Sequence, residues 1–265
     1  MEPLPLDDRG LAYGDGLFET LLLRDGQPLL WHEHLSRLQR GAERLGFTAP
    51  DADTLHAFCA EAPAGLAVLK LIVTRGSGGR GYRPPAAPSP RLRWQIAAFA
   101  PQPERWRDGV RVRHCRLRLG RQPALAGLKH LNRLENVLAR GEWQDDAIAE
   151  GLLSDSHGQL VEATCMNLFW SRHGRLETPR LAHCGVAGTL REALLGELAI
   201  TEIEAGPEAL LDAEAVWLGN SLQGVWPLVQ LDAAEGECLR RWTLDAHHRL
   251  LQDAGHALLG YPAIR

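Results

Sequence analysis

Leu125-Ala126-Gly127-Leu128-Lys129-His130-Leu131-Asn132-Arg133-Leu134-Glu135-Asn136-Val137-Leu138-Ala139 is the stretch whose reading decides the rest of the chain. It holds a single lysine after a small, apolar lead-in. Leu131, Leu134 and Leu138 recur at helical spacing, which predicts an amphipathic helix directly after the lysine. A lysine at a helix start is ordinarily a solvated cation. Two observations argue against that here. Lys70 and Lys129 are the only lysines in the chain, against 27 arginines, so lysine is not its habitual surface cation. The flanks, Gly127-Leu128 and His130-Leu131, are mostly small or apolar. An amine partly withdrawn from water is disfavoured in its charged form and is a better nucleophile.

Working outward, the 265 residues are 45% hydrophobic, enough for substantial cores, and predict one compact protein of two subdomains. No stretch approaches a membrane span, and Met1 to Asp7 does not read as a signal peptide. The five cysteines are odd in number and lack CxxC or zinc spacing, which predicts reduced thiols in a cytoplasmic protein and no metal. A net charge of -4 gives no reason to expect a nucleic-acid partner.

The N-terminal part reads as α+β. Asp8 to Gly16 is a glycine-rich bend containing Tyr13. Strands at Leu17 to Leu23 and Pro28 to Trp31 flank a turn at Asp25-Gly26. A helix follows from about His32 to Leu45, with Leu35, Leu38, Ala42 and Leu45 facing inward. Asp51 or Asp53 is placed to cap the next helix. Leu66 to Thr74 and Leu92 to Phe99 are strands, with a Gly/Pro-rich loop between them. In that loop, Arg75-Gly76-Ser77-Gly78-Gly79-Arg80-Gly81-Tyr82 has the glycine density of a nucleotide-binding turn. Arg83-Pro84-Pro85 forbids the helix such a turn requires, and the lysine of a phosphate-binding loop is missing. It reads as a flexible loop at the mouth of a site.

Arg105 to Arg121 reads as a solvated strand and interdomain connection. The boundary is placed in it, giving a small N-terminal α+β domain over 1–110 and a larger domain over 111–265 that carries Lys129. Strands are expected at Gly151 to Asp155, Leu160 to Thr164, Asn167 to Ser171 and Arg175 to Thr178. Glu162, acidic among apolar and small neighbours, needs a partner. Gly185-Val186-Ala187-Gly188-Thr189-Leu190-Arg191 opens a helix whose free N–H groups and dipole suit a phosphate. Val216-Trp217-Leu218 is a strand ending at Gly219-Asn220-Ser221. Cys238 to Leu258 is expected to be a helix packed on the outside.

Leu128 to Asn136, with Arg118-Leu119-Gly120-Arg121-Gln122-Pro123 upstream, resembles the cofactor-lysine segment of class IV pyridoxal-phosphate enzymes. That family includes branched-chain and D-amino-acid aminotransferases and aminodeoxychorismate lyases, and the wording here is most similar to the lyases. The resemblance implies a two-domain fold-type IV protein, a β-barrel-like core flanked by helices in the larger domain, a homodimer, and pyridoxal 5'-phosphate held by Lys129. It implies that Glu162, in a Glu-x-x-x-x-Asn-Leu-Phe pattern, bonds the pyridine nitrogen. Arg37, in His-x-x-Arg-Leu, would hold the cofactor phosphate, which a guanidinium fork suits. Thr189 and Leu190 would contribute amides, many aminotransferases having threonine where Leu190 stands, and Ser221 a hydroxyl. Arg75, Arg80, Tyr82 and Tyr13 are the substrate-side candidates. Relatives usually begin with a strand before the Asp-Arg-Gly stretch, for which only Met1 to Asp7 is available. The implied activity is the conversion of 4-amino-4-deoxychorismate to 4-aminobenzoate and pyruvate. The alternatives are an aminotransferase of the same fold and a non-catalytic phosphate- or nucleotide-binding protein using the Arg75 to Gly81 loop.

Overall fold

The computed structural model describes residues 3–264. The chain forms two compact units. One runs to Ala100 and includes Leu128–Arg133; the other comprises Pro101–Gly127 and the chain from Leu134 onward. The break therefore comes at Ala100 rather than near 110, and the six residues around Lys129 pack with the first unit rather than the second.

In the first unit, α1 (Arg9–Tyr13), β1 (Gly16–Arg24), β2 (Gln27–Pro28), α2 (Trp31–Leu45), α3 (Ala52–Ala57), β3 (Leu66–Thr74) and β4 (Arg91–Ala98) follow in order. The sheet order is β2-β1-β3-β4, antiparallel throughout. Asp25 (φ 49) and Gly26 (φ 76) are both left-handed, the tight turn that their sequence predicts. Alternate residues of β1, Leu17, Leu21 and Leu23, are buried with Leu69, Leu71 and Val73 of β3 and with Leu38 and Ala42 of α2. Gly41 permits the close approach of helix to strand: a Cβ there would stand 2.9 Å from the Leu17 Cδ1. Asp51 accepts the Thr54 N–H at 2.8 Å and caps α3.

Three expectations for this unit change: the 9–13 bend, the end of the second strand and the freedom of the 75–90 loop. Residues 9–13 are a short helix, because the Asp8 carboxylate accepts the Gly10 and Leu11 N–H groups. The second strand stops at Pro28, because Leu30 turns left-handed (φ 52) and Trp31 starts α2. No strand precedes α1 among the described residues; the first two residues of the expected Met1–Asp7 segment lie outside them. The 75–90 loop is anchored, since the buried Arg9 donates to the carbonyls of Gly81, Tyr82 and Arg83 at 3.2, 2.9 and 3.4 Å.

The second unit contains α4 (Pro103–Asp108), β5 (Val110–Leu119), α5 (Leu134–Arg140), β6 (Ile148–Asp155), β7 (Leu160–Ala163), β8 (Asn167–Arg172), β9 (Arg175–Pro179), α6 (Thr189–Glu197), β10 (Ile200–Ile203), α7 (Glu208–Leu211), β11 (Ala215–Asn220), β12 (Gly224–Asp232), β13 (Cys238–Arg241) and α8 (Ala246–Leu258). Nine strands form one sheet in the order β10-β9-β8-β11-β12-β5-β6-β7, with β13 also on β12. In a flat sheet β8 and β7, five strand spacings apart, would be separated by about 24 Å. They are instead joined through Thr164–Met166, and the Ala163 N–H donates to the Met166 carbonyl at 2.8 Å. The sheet is thus curled into a half-barrel.

β5 and β6 run parallel. A parallel pair needs a crossover connection, and residues 120–147 supply it. Lys129 lies in that crossover. Arg105 to Arg121 is accordingly no solvated connection: β5 is an interior strand whose Val110, Val112, Cys115 and Leu119 are buried. The helix after Lys129 begins only at Leu134, because residues 129–131 bond to the start of β1 instead, and its Leu134, Val137 and Leu138 are exposed. The tail is a strand plus a shorter helix, α8, which starts where Asp245 caps it.

One buried charge cluster fastens α2 to β1. Glu19 takes Arg37 Nε at 2.8 Å and Nη2 at 2.5 Å, and His34 Nδ1 at 2.7 Å. All three side chains are buried. Burial alone would raise the Glu19 carboxyl, but Arg37 and His34 outweigh it and hold it at about 2. Burial lowers His34 despite the carboxylate beside it, and it also lowers His114 and His130 to about 4. A group whose folded pKa is depressed is protonated first in the unfolded chain, so its contribution is present above the unfolded pKa and lost as pH falls. Stability should therefore fall from pH 6.5 to pH 4 as the histidines are drawn to the unfolded state, and further from 4.5 towards 2 through Glu19. Glu19→Gln should cost about 3–5 kcal/mol by leaving the buried Arg37 uncompensated. Urea unfolding at pH 7.5 and pH 5 checks both, and equal stability at the two values would contradict the first.

Candidate active site

Each unit holds its own candidate residues, some on helices and strands and some on irregular chain pinned to them. In the first unit, Lys129–Leu131 lie along the start of β1. The Phe18 N–H donates to the Lys129 carbonyl at 3.0 Å, the Leu131 N–H to Gly16 at 3.0 Å, and His130 bridges to Leu17. Arg133 folds back to donate to the carbonyls of His130 and Leu128 at 3.0 and 3.1 Å, and the Asn132 amide donates to Gly14 at 3.1 Å. These bonds fix the backbone on both sides of Lys129. Its side chain is half-buried, with Nζ 4.3 Å from the centroid of the Phe18 ring. That distance is within cation–π range.

Arg37 lies on α2 with its guanidinium gripped by Glu19 through Nε and Nη2. Arg75 is buried, and its three nitrogens are engaged: Nε and Nη2 with Asp15 at 2.7 and 3.0 Å, Nη1 with the Gly46 carbonyl at 2.9 Å, and Nη2 also with Leu45. Arg9 completes the cluster on Asp15 at 2.8 Å. Arg75 thus ties the loop to the end of α2 instead of reaching solvent as a carboxylate receptor. Arg80 and Tyr82 are exposed. Tyr82 stands beside Tyr13 with ring centroids 5.3 Å apart, and Arg9 lies 5.0 Å from the Tyr13 centroid.

In the second unit, Glu162 on β7 is buried, and its Oε2 accepts the Val186 N–H at 2.9 Å. Val186 belongs to a strand-like run in which Gly127 donates to Gly185 at 2.9 Å and Ala187 donates to Gly127 at 3.1 Å. The Asn167 amide donates to the Val186 carbonyl at 2.9 Å. Asn167 also explains Gly188, where a Cβ would meet the Asn167 Oδ1 at 1.9 Å. The same run therefore carries Glu162 and the first turn of α6 together. Thr189 and Leu190 open α6, no side chain caps Gly188, and the Leu190 side chain is buried beside Gly219. Ser221 is half-buried, two residues beyond Gly219, which pairs with Asn167.

Each unit, taken by itself, holds groups of the kind a phosphorylated heteroaromatic cofactor uses. A buried carboxylate is bonded to the same segment of the second unit that leads into the head of a nine-residue helix. An amine lies over an aromatic ring, and a buried guanidinium is held in the first unit. Sequence reasoning missed Glu19, His34, Asn167 and Glu150. The signal for Glu19 was present: an acid within Leu17-Phe18-Glu19-Thr20-Leu21 needs a buried partner. Glu150 gave no such signal. Its buried carboxylate accepts the Thr164 N–H at 3.1 Å and the Cys165 thiol at 2.7 Å, which holds the turn after Glu162.

The chain matches the family model described as class IV amino-transferase over residues 16–231. It is 35% identical over 242 residues to the aminodeoxychorismate lyase of Vibrio harveyi, covering 88% of this chain and 89% of that one. The crystal structure of 4-amino-4-deoxychorismate lyase from Pseudomonas aeruginosa superposes with a TM-score of 0.88 at 44% identity, covering 97% and 96% of the two chains. The Escherichia coli branched-chain amino acid aminotransferase shares the fold with a TM-score of 0.81 at 20% identity, covering 97% and 89%. The irregular lysine segment, the curled sheet and these likenesses lead to one assignment: the chain belongs to the class IV aminotransferase family, with the fold-type IV architecture.

Proposed function

We infer that the protein is a pyridoxal-phosphate-dependent carbon–oxygen lyase that converts 4-amino-4-deoxychorismate to 4-aminobenzoate and pyruvate, a step of folate biosynthesis. The observation that carries this reading is the 44% identity with the Pseudomonas aeruginosa lyase over nearly the whole chain. The Vibrio harveyi relative supports it. A homodimer in the cytoplasm fits the exposed apolar face of α5 and five cysteines that form no disulfide.

Lys129 would hold the cofactor through Nζ. Glu162 would bond its ring nitrogen, and Arg37, the Thr189 and Leu190 amides and Ser221 its phosphate. When bound, pyridoxal phosphate supplies an electron sink. The Glu162 carboxyl group, oriented by the Val186 N–H, would accept a hydrogen bond from the ring nitrogen. The Lys129 amine takes the proton from the amine-bearing ring carbon of the substrate, and its fixed backbone limits where Nζ can reach. Loss of pyruvate from the adjacent carbon leaves the ring aromatic, with no net redox change. Arg80, Tyr82 and Tyr13 are the substrate-side candidates; Arg75 serves them by holding the loop.

Lys129→Ala should lower turnover roughly a thousandfold or more and abolish the borohydride-sensitive visible absorption. Glu162→Gln should fold, shift that absorption and slow turnover roughly 10- to 100-fold. An unaltered spectrum and rate in either variant would remove that residue from the site. The wild-type enzyme with aminodeoxychorismate should release 4-aminobenzoate and pyruvate in equal amounts with no keto acid added. Common L- and D-amino acids should convert the cofactor to its amine form slowly. Rapid conversion by a branched-chain or D-amino acid, with no pyruvate released, would mark an aminotransferase instead.

A further inference from the structure

We propose that Glu19 is a positioning residue for cofactor binding: it sets the direction of the Arg37 guanidinium, so that the affinity for the cofactor phosphate depends on a carboxylate that does not touch the cofactor. This rests on the reading of Arg37 as a phosphate holder.

The geometry is that of a fixed fork. A guanidinium bonded at one nitrogen can swing, whereas one bonded at two to the two oxygens of a carboxylate has its plane and direction defined. Arg37 is bonded in the second way, Nε to Oε1 and Nη2 to Oε2. The carboxylate is itself immobilised. Glu19 sits in the middle of β1, paired with Leu71 of β3, and its Oε2 is also bonded to His34 Nδ1 at 2.7 Å. His34 and Arg37 lie three apart on α2, one turn of the helix, so both reach the same carboxylate. The three side chains are 1%, 2% and 6% exposed for His34, Glu19 and Arg37. Burying an ion pair gains little stability over an apolar pair of the same size. The cluster is more than core filling requires, and a fixed cation is what a phosphate receptor requires.

A residue that acts only on the fold would change the binding of every form of the cofactor alike. One that aims a phosphate-binding cation would affect only the phosphorylated form. Wild-type holoenzyme and the variants Arg37→Met, Glu19→Gln and the two combined are equilibrated with decreasing pyridoxal phosphate, and separately with pyridoxal. Bound cofactor is read from visible absorbance and folding from the far-ultraviolet circular dichroism. Arg37→Met should weaken pyridoxal phosphate roughly 10- to 100-fold and leave pyridoxal within about threefold. Glu19→Gln should show the same selective loss, and the double variant should be no weaker than Arg37→Met alone, because Glu19 acts through Arg37. If Arg37→Met leaves the pyridoxal phosphate affinity unchanged, Arg37 does not hold the phosphate and that reading fails first. If Arg37→Met is selective but Glu19→Gln is silent, weakens both forms equally, or adds its full effect in the double variant, the positioning role is overturned. Should Glu19→Gln not fold, Glu19→Asp keeps the charge but draws it back by one methylene. It should give a smaller, still phosphate-selective loss, and an equal loss of both forms would overturn the role.

Discussion

The backbone pairing of the crossover between β5 and β6 is the constraint on which the rest depends. Between Gly120 and Leu134 the chain forms no regular helix or strand. Its peptide groups must still be satisfied wherever they are buried. In the second unit Gln122 donates to His183 and Gly127 to Gly185, and Ala187 donates to Gly127. In the first unit Phe18 and Leu131 close a two-bond bridge around His130. A lysine on an ordinary helix would be placed by that helix alone. Here its position is set by the pairing of residues 129–131 with the start of β1.

Buried carboxylates perform three different tasks around this chain path. Glu162 accepts a backbone N–H of the 185–188 run, which orients its carboxyl group. Glu150 accepts from the Thr164 backbone and the Cys165 thiol, and so fixes the turn that leads from Glu162 to Asn167. Glu19 is matched to Arg37 and His34, which hold its carboxyl down at about 2 against the effect of burial. Removing one partner from such a group costs more than the group contributes when whole, because the remaining charge stays buried.

Glycines at two of these places show how tightly the pieces approach. Gly41 admits Leu17 of β1 against α2, and Gly188 admits the Asn167 amide at the head of α6. Asn167 bonds the same residue, Val186, whose N–H serves Glu162. The carboxylate and the helix terminus are therefore coupled through one short run of backbone, and a change at residue 186 or 188 would disturb both.

Local pattern made much of this protein legible. The strands at 17–23, 66–74, 151–155 and 167–171, the α2 helix, the Asp25-Gly26 turn and the Asp51 cap follow from alternation, helical spacing and turn chemistry, which act over a few residues. The motifs around Lys129 and Glu162 carried a resemblance to the family, which the match to its model bears out. What local pattern could not decide were the features set by distant partners. The apolar spacing of Leu131, Leu134 and Leu138 suggested one helix, yet β1 captures residues 129–131 in extended form, and α5 starts late with its leucines exposed. Arg105 to Arg121 looked solvated because its arginines alternate with apolar residues, and only parallel pairing with β6 and β12 makes it an interior strand. Arg75 looked like a substrate receptor until Asp15 and the carbonyls of Leu45 and Gly46, thirty to sixty residues away in sequence, engaged it. By itself the sequence determined which residues are chemically able to serve, since that is a property of side-chain type and short-range spacing. The tertiary structure decided which of them are anchored, aimed or consumed as structural partners, because a buried donor or acceptor takes whichever partner the fold brings within about 3 Å.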